Sequence, residues 1–280
     1  MSKVIFYYQE FIDLSPLIAN PIITHLYVSS IHFGVNSNQS LYIHLNDNSP
    51  SDPIHDKMWD QVKILSQKGV KICLMIGGAG GAYQALFSNF EAYYAMLKCC
   101  ILEHNFISGV DLDIEETVDL INVKKLINRL INDFGKKFMI SMSPVQESLM
   151  SDTPGLGGFI YKELYTSPEG QYISHFNCQF YTDYSLSSYE RIIDNGYPAN
   201  MVVMGMVSDM FNKDTQLSII NMLTVIKKKY SNFGGVFDWE LFDSYPDPIR
   251  WLTIMNNIVN PSYWIYFVNW LSKKFDYHTE

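Results

Sequence analysis

The sequence predicts one (β/α)8 barrel, an α/β TIM-barrel fold, occupying residues 1–280 as a single catalytic domain. Three observations predict it. About eight β-rich runs occur along the chain, most of them followed by a helical pattern. Several of these runs are apolar almost throughout, as strands covered on both faces must be. The length of 280 residues suits a fold that typically needs about 250. The helices exclude a sandwich, and the strand–helix order favours a barrel over a doubly wound sheet. No composition shift marks a linker.

Residues 4–8 form a first strand and residues 22–33 a second, closed by Gly34. The alternating stretch 41–47 extends the second strand as a hairpin arm. Residues 56–67 read as a helix, with Met58, Val62 and Leu65 on one face and Gly69 as its stop. An apolar third strand, 71–76, runs into Gly77-Gly78-Ala79-Gly80-Gly81. A helix over 90–104 precedes the fourth strand, 107–115. A helix over 119–134 ends at Gly135, and a fifth strand, 138–143, is closed by Pro144. A long connection, 145–170, leads to the sixth strand, 172–181. A helix (187–194), a seventh strand (201–206), a helix (215–229), an eighth strand (235–239) and a helix (246–258) complete the pattern.

The fourth strand carries the chemistry. Strand side chains alternate faces, so Asp111, Asp113 and Glu115 share one column while Val110, Leu112 and Ile114 take the other. Same-face positions lie roughly 7 Å apart along a strand. Carboxylates that close cannot all stay ionised in a low-dielectric place. One takes a proton, or a cation sits among them. A solvated acidic face and an oxygen-ligand site for a divalent metal are the other readings of this column. In a barrel, functional groups come from the carboxyl ends of strands. Glu115, Tyr181, Trp239 and the glycine loop after Ile76 all fall at such ends, which turns the column into the mouth of the barrel.

The apolar content of 48% excludes disorder. A net charge of −9 disfavours nucleic acid and anionic membranes as partners. The N-terminus lacks the pattern of a signal peptide, and the most apolar run, 263–271, is too short to span a bilayer and contains Asn269. An intracellular protein is expected. Cys99 and Cys100 are adjacent, while Cys73 and Cys178 fall in predicted strands, so no disulfide framework emerges. Neither Cys-x-x-Cys nor His-x-x-x-His occurs. No metal and no cofactor is expected, and the chain is expected to be a monomer.

The stretch Ser108-Gly109-Val110-Asp111-Leu112-Asp113-Ile114-Glu115 resembles the Asp-Gly-x-Asp-x-Asp-x-Glu signature of glycoside hydrolase family 18, the chitinases and endo-β-N-acetylglucosaminidases. Supporting stretches resemble the family's other strands. These are Phe6-Tyr7-Tyr8, Leu74-Met75-Ile76-Gly77-Gly78, Gln179-Phe180-Tyr181-Thr182 and Gly234-Gly235-Val236-Phe237-Asp238-Trp239. The chain leaves no room for the insertion domain of larger chitinases, so the compact branch is the closer likeness. The resemblance implies a substrate built of N-acetylglucosamine, either chitin or an N-glycan core. It also implies retaining cleavage in which the substrate's own acetamido group is the nucleophile. By the same resemblance, Glu115 is the general acid and base, its pKa raised by Asp113. Asp113 orients the acetamido group, and Asp111 is its deeper, proton-sharing partner. Tyr181 meets the acetamido carbonyl, and Trp239 floors the sugar. Gln179, Tyr7, Gly77 and Gly78 are further substrate-site residues.

Three departures from the family pattern stand out. Ser108 replaces the first Asp, Met75 replaces a Ser that hydrogen-bonds the Asp at the Asp111 position, and Thr182 stands where Asp or Asn is usual. The first two are expected to offset partly, shortening the proton network and shifting the pH optimum. Glu10, His32, Gln146 and Asp183 are further candidates for the cleft. A catalytically silent carbohydrate-binding protein on the same fold is the competing class. Such proteins usually lose the acid or its Asp partner, and this chain keeps both.

Overall fold

The β-branched and aromatic runs become strands where the pattern places them. The computed structural model describes residues 1–261. Its strands are β1 (Lys3–Tyr8), β2 (His25–Val35), β3 (Leu41–Leu45), β4 (Lys71–Gly77), β5 (Ile107–Asp113), β6 (Met139–Met142), β7 (Ile173–Gln179), β8 (Val202–Val207) and β9 (Gly235–Trp239). β1 pairs in parallel with both β2 and β9, which closes the sheet. β3 is the antiparallel hairpin arm on β2, pairing His44 with His32. The other eight strands form a parallel barrel.

The near-continuous apolar runs have the expected cause. Outward side chains such as Val110, Leu112 and Met204 pack under the helices in one large cluster, while a second cluster fills the barrel itself. That inner cluster contains Ile5, Tyr7, Tyr27, Cys73, Met75, Val203 and Phe237, with Tyr181 and Trp239 at its upper edge. The interior is thus packed, and only its mouth is free for chemistry.

Differences from the predicted elements are local. Helices Ser15–Ala19 and Tyr83–Ser88, and the helices Gln146–Met150 and Tyr161–Tyr165 inside the long connection, were not apparent in the pattern. Each has five or six residues, too few to show a helical period. β5 ends at Asp113 and β7 at Gln179, so Glu115 and Tyr181 lie just beyond the strands that aim them. The run 263–271 lies outside the described residues. No helix among the described residues is long and apolar enough to cross a membrane.

Candidate active site

The acidic column faces inward. Asp111 and Asp113 are buried, Glu115 is half-buried at the mouth, and Val110, Leu112 and Ile114 are sealed on the outer face. The solvated-face reading therefore fails.

Asp111 is fully enclosed and heavily hydrogen-bonded. Its Oδ1 accepts from Ser141 Oγ (2.6 Å) and Asn177 Nδ2 (3.2 Å), and its Oδ2 from Ser143 Oγ (2.6 Å) and the Tyr7 hydroxyl (2.8 Å). Burial pushes its carboxyl up, and these donors oppose that shift. Four donors around one carboxylate leave little room for a cation, and no cluster of three or more His, Cys, Asp or Glu side chains suited to a metal occurs among the described residues. No direct hydrogen bond joins Asp111 to Asp113 among the described residues. Proton sharing between them therefore requires Asp113 to rotate.

This geometry corrects the reading of Met75. Met75 does lie inside the barrel, in register with Asp111. Yet Asp111 is not short of donors, because Ser141 and Ser143 on the neighbouring strand supply them. Ser108 sits beside a register shift near the start of β5 and makes no hydrogen bond to the column among the described residues. Met75→Ser is accordingly expected to leave the pH–rate profile in place. Ser143→Ala strips a donor from a buried carboxylate and should destabilise by about 1–3 kcal/mol, read as a lowered urea midpoint.

Asp113 and Glu115 share one amide. Gln179 Nε2 lies 3.2 Å from Asp113 Oδ1, 3.3 Å from Glu115 Oε1 and 2.9 Å from the Ser143 carbonyl. Asp113 is raised well above the usual carboxylate range, by burial first and then by Glu115 and Asp111.

The glycine loop brings backbone against these acids. Gly77 and Gly78 have φ of +91° and +88°, a region that glycine enters without penalty. A β-carbon at Gly77 would lie 2.4 Å from the Asp113 carbonyl oxygen, and Gly78 N–H donates to that oxygen at 2.9 Å. Glu116, which the sequence did not single out, accepts from the backbone N–H groups of Ala82 and Tyr83, the latter at 2.6 Å. It ties the loop to the residue next to Glu115.

The aromatic residues complete the mouth. Trp239 packs 5.3 Å from Tyr7, centroid to centroid, and Tyr181 meets Phe237 edge-on at 6.4 Å. Burial first, then Asp113, Asp238, Glu115 and Asp111, hold the Tyr181 phenol well above its ordinary value, so it remains a donor. Two carboxyls flank Trp239. Asp238 accepts from Ser244 Oγ (2.6 Å) and Ser208 Oγ (3.1 Å), and Glu240 from the backbone N–H of Gln9 (2.7 Å) and Glu10 (3.2 Å). Burial raises each to about 7.

For Asp238 the folded value lies above the unfolded one, so its stabilising contribution is complete below about pH 4 and is lost as pH rises through about 7. Between pH 5 and pH 9 the wild type should lose about 2–3 kcal/mol relative to Asp238→Asn. Urea unfolding of both proteins at the two pH values measures this.

The remaining candidates separate. Glu10 and His32 border a groove on this rim. Asp183 is spent on Ser185 (2.8 Å) and Ser188, and Thr182 donates to Glu147 at 2.7 Å. Gln146 is buried at the start of its helix.

An acid column thus stands under an aromatic rim at the carboxyl end of a closed parallel barrel. The chain is similar to a fungal endo-β-N-acetylglucosaminidase of glycosyl hydrolase family 18, with 32% identity, a TM-score of 0.83, and 94% of this chain and 99% of that one covered. It is also similar to the chitinase ChiC from Aspergillus fumigatus, with 31% identity, a TM-score of 0.79, and 91% and 99% covered. A family 18 chitinase from Pseudoalteromonas aurantia shares the fold at 21% identity and a TM-score of 0.69, with 91% and 99% covered. No family model and no curated protein matches the chain. The protein belongs to glycoside hydrolase family 18.

Proposed function

We propose that the protein is a retaining glycosidase that cleaves β-1,4-linked N-acetylglucosamine chains, as in chitin. In the first step the substrate's acetamido oxygen bonds to the anomeric carbon as the glycosidic C–O bond breaks. Glu115 gives its proton to the departing oxygen. In the second, Glu115 takes a proton from water, whose oxygen attacks the anomeric carbon and reopens the oxazolinium ring. Asp113 turns to accept the acetamido N–H, which orients the nucleophile and offsets its positive charge. Tyr181 donates to the acetamido carbonyl oxygen, and Trp239 offers an apolar platform to the sugar face. Gln179 holds the two acids in register. Asp111, fixed by Tyr7 and the two serines, anchors the column, and Gly77 and Gly78 let the loop lie close to Asp113.

The observation that supports this reading most is the Asp113–Glu115 pair held by one amide inside the barrel mouth. A second reading, cleavage of N-glycan cores, is favoured by the likeness to the fungal endo-β-N-acetylglucosaminidase. Incubation with chitin oligomers and, separately, with a high-mannose glycoprotein distinguishes them by product. Turnover of neither, with retention on chitin beads, would overturn both in favour of a silent binding protein.

A further inference from the structure

The other end of the barrel, where the strands begin, carries a basic face. Two adjoining grooves of about 480 Å³ and about 280 Å³ meet there at Ser2 and Lys3. The larger has an apolar lining of Pro21, Ile22 and Ile23, and Lys3, Lys68 and Lys71 beside it. The smaller adds Lys227. Topology brings these lysines together. Lys3 opens β1, Lys71 opens β4 beside His25 of β2, and Lys68 follows the helix Asp56–Gln67. Neither groove is lined by an Asp or Glu among the described residues.

The ion pairs among the described residues use Lys57, Lys98, Lys125, Arg129 and Lys229 instead. Lys3 Nζ donates to the Asn200 carbonyl at 3.4 Å, and Lys227 Nζ to Ser2 Oγ (3.0 Å) and the Ser231 carbonyl (2.7 Å). Burial lowers the Lys3 ammonium to about 8. An anion beside it offsets that desolvation. The net charge of −9 is an average over the whole chain. Exposed charges are screened beyond a Debye length of roughly 8 Å, so the sign of the facing patch decides what docks on it.

An uncharged aromatic stretch leaves the barrel at the same place. Ser2 N–H donates to Asn260 Oδ1 (2.8 Å), and Asn260 Nδ2 donates to the Ser2 carbonyl (2.9 Å). Tyr263 follows Asn260 by three residues, a reach of at most about 11 Å. Residues 263–271 include two tryptophans, two tyrosines and a phenylalanine and carry no charge, and Lys273 and Lys274 follow. Tryptophan and tyrosine favour the boundary between lipid headgroups and acyl chains. An aromatic, apolar stretch and a basic patch are complementary signals for an anionic bilayer, and stable attachment generally takes two.

We propose that this end of the barrel docks on an anionic lipid bilayer, with its lysines against lipid phosphates and carboxylates and residues 263–271 in the interfacial layer. The catalytic mouth, at the opposite end, then faces away from the membrane. The proposal stands independently of the glycosidase reading.

Sedimentation of the full chain with vesicles of phosphatidylcholine, alone or mixed with phosphatidylserine, tests it. The chain is expected to sediment with the mixed vesicles, to stay largely in solution with the neutral ones, and to be released by added salt. Each lysine near an anionic leaflet contributes roughly fivefold in affinity, so Lys68→Ala combined with Lys71→Ala should weaken binding about 25-fold. Both lysines are exposed, so this variant is expected to keep the wild-type melting curve. Trp264→Ser combined with Trp270→Ser should weaken binding about tenfold. Binding to neither vesicle, equal binding to both, or binding that either folded variant retains in full overturns the proposal. So does retention on a duplex oligonucleotide in place of vesicles. A tryptophan variant that melts early, with a wild type that ignores lipid, overturns it too and assigns the stretch to the barrel's own surface.

Discussion

Glu115→Gln should lower kcat by about 10³-fold while leaving KM and thermal stability near those of the wild type. The substitution keeps the side chain's length and leaves Gln179 an oxygen to donate to. It removes only the transferable proton. Glu115 sits just past β5, half-buried, so its loss costs no buried charge pair. The carboxyls nearest to it in the chain are already engaged. Asp113 is aimed at Gln179 one step deeper, Asp111 is enclosed by four donors, and Glu116 is committed to Ala82 and Tyr83. Steady-state kinetics on a chitobioside, with a melting curve alongside, tests the claim. Residual kcat within tenfold of wild type would remove Glu115 from its role.

Period-two alternation made much of this site legible. It put Asp111, Asp113 and Glu115 in one column, while Tyr7 was singled out only by the family resemblance. The same rule, applied to Ser141 and Ser143 or to Asn177 and Gln179, would have found the polar layer around Asp111. Those pairs sit two apart on adjoining strands, but serine and asparagine carry too little sequence contrast to draw attention. Glu116 and Glu240 were not legible, because each acts on backbone N–H groups of a loop distant in sequence. No local period encodes a loop-to-loop tie. The five- and six-residue helices stayed hidden for a related reason: tertiary packing, not periodicity, holds them. The hairpin arm β3 was legible as a strand.

Asp113→Asn should lower kcat about 10²-fold and move the alkaline limb of the pH–rate profile to lower pH. Burial and two neighbouring carboxyls hold Asp113 far above the ordinary carboxylate range. Repulsion from Glu115 and Asp111 adds to burial at Asp113, so Asp113 keeps its proton to a higher pH than an isolated carboxyl would. Asparagine keeps an oxygen for Gln179 but removes that repulsion, along with the charge that offsets the oxazolinium. The apparent upper pKa of kcat/KM then falls. The sign for stability runs the same way. A carboxyl raised by folding contributes its stability fully below about pH 4 and loses it as pH climbs through the folded value. The wild type therefore weakens on the alkaline side, and Asp113→Asn does not. Melting temperatures of both proteins from pH 4 to pH 9 should converge or cross as pH increases. Parallel melting curves, together with an unmoved alkaline limb, would mean that the proton of this pair does not reside on the column of β5.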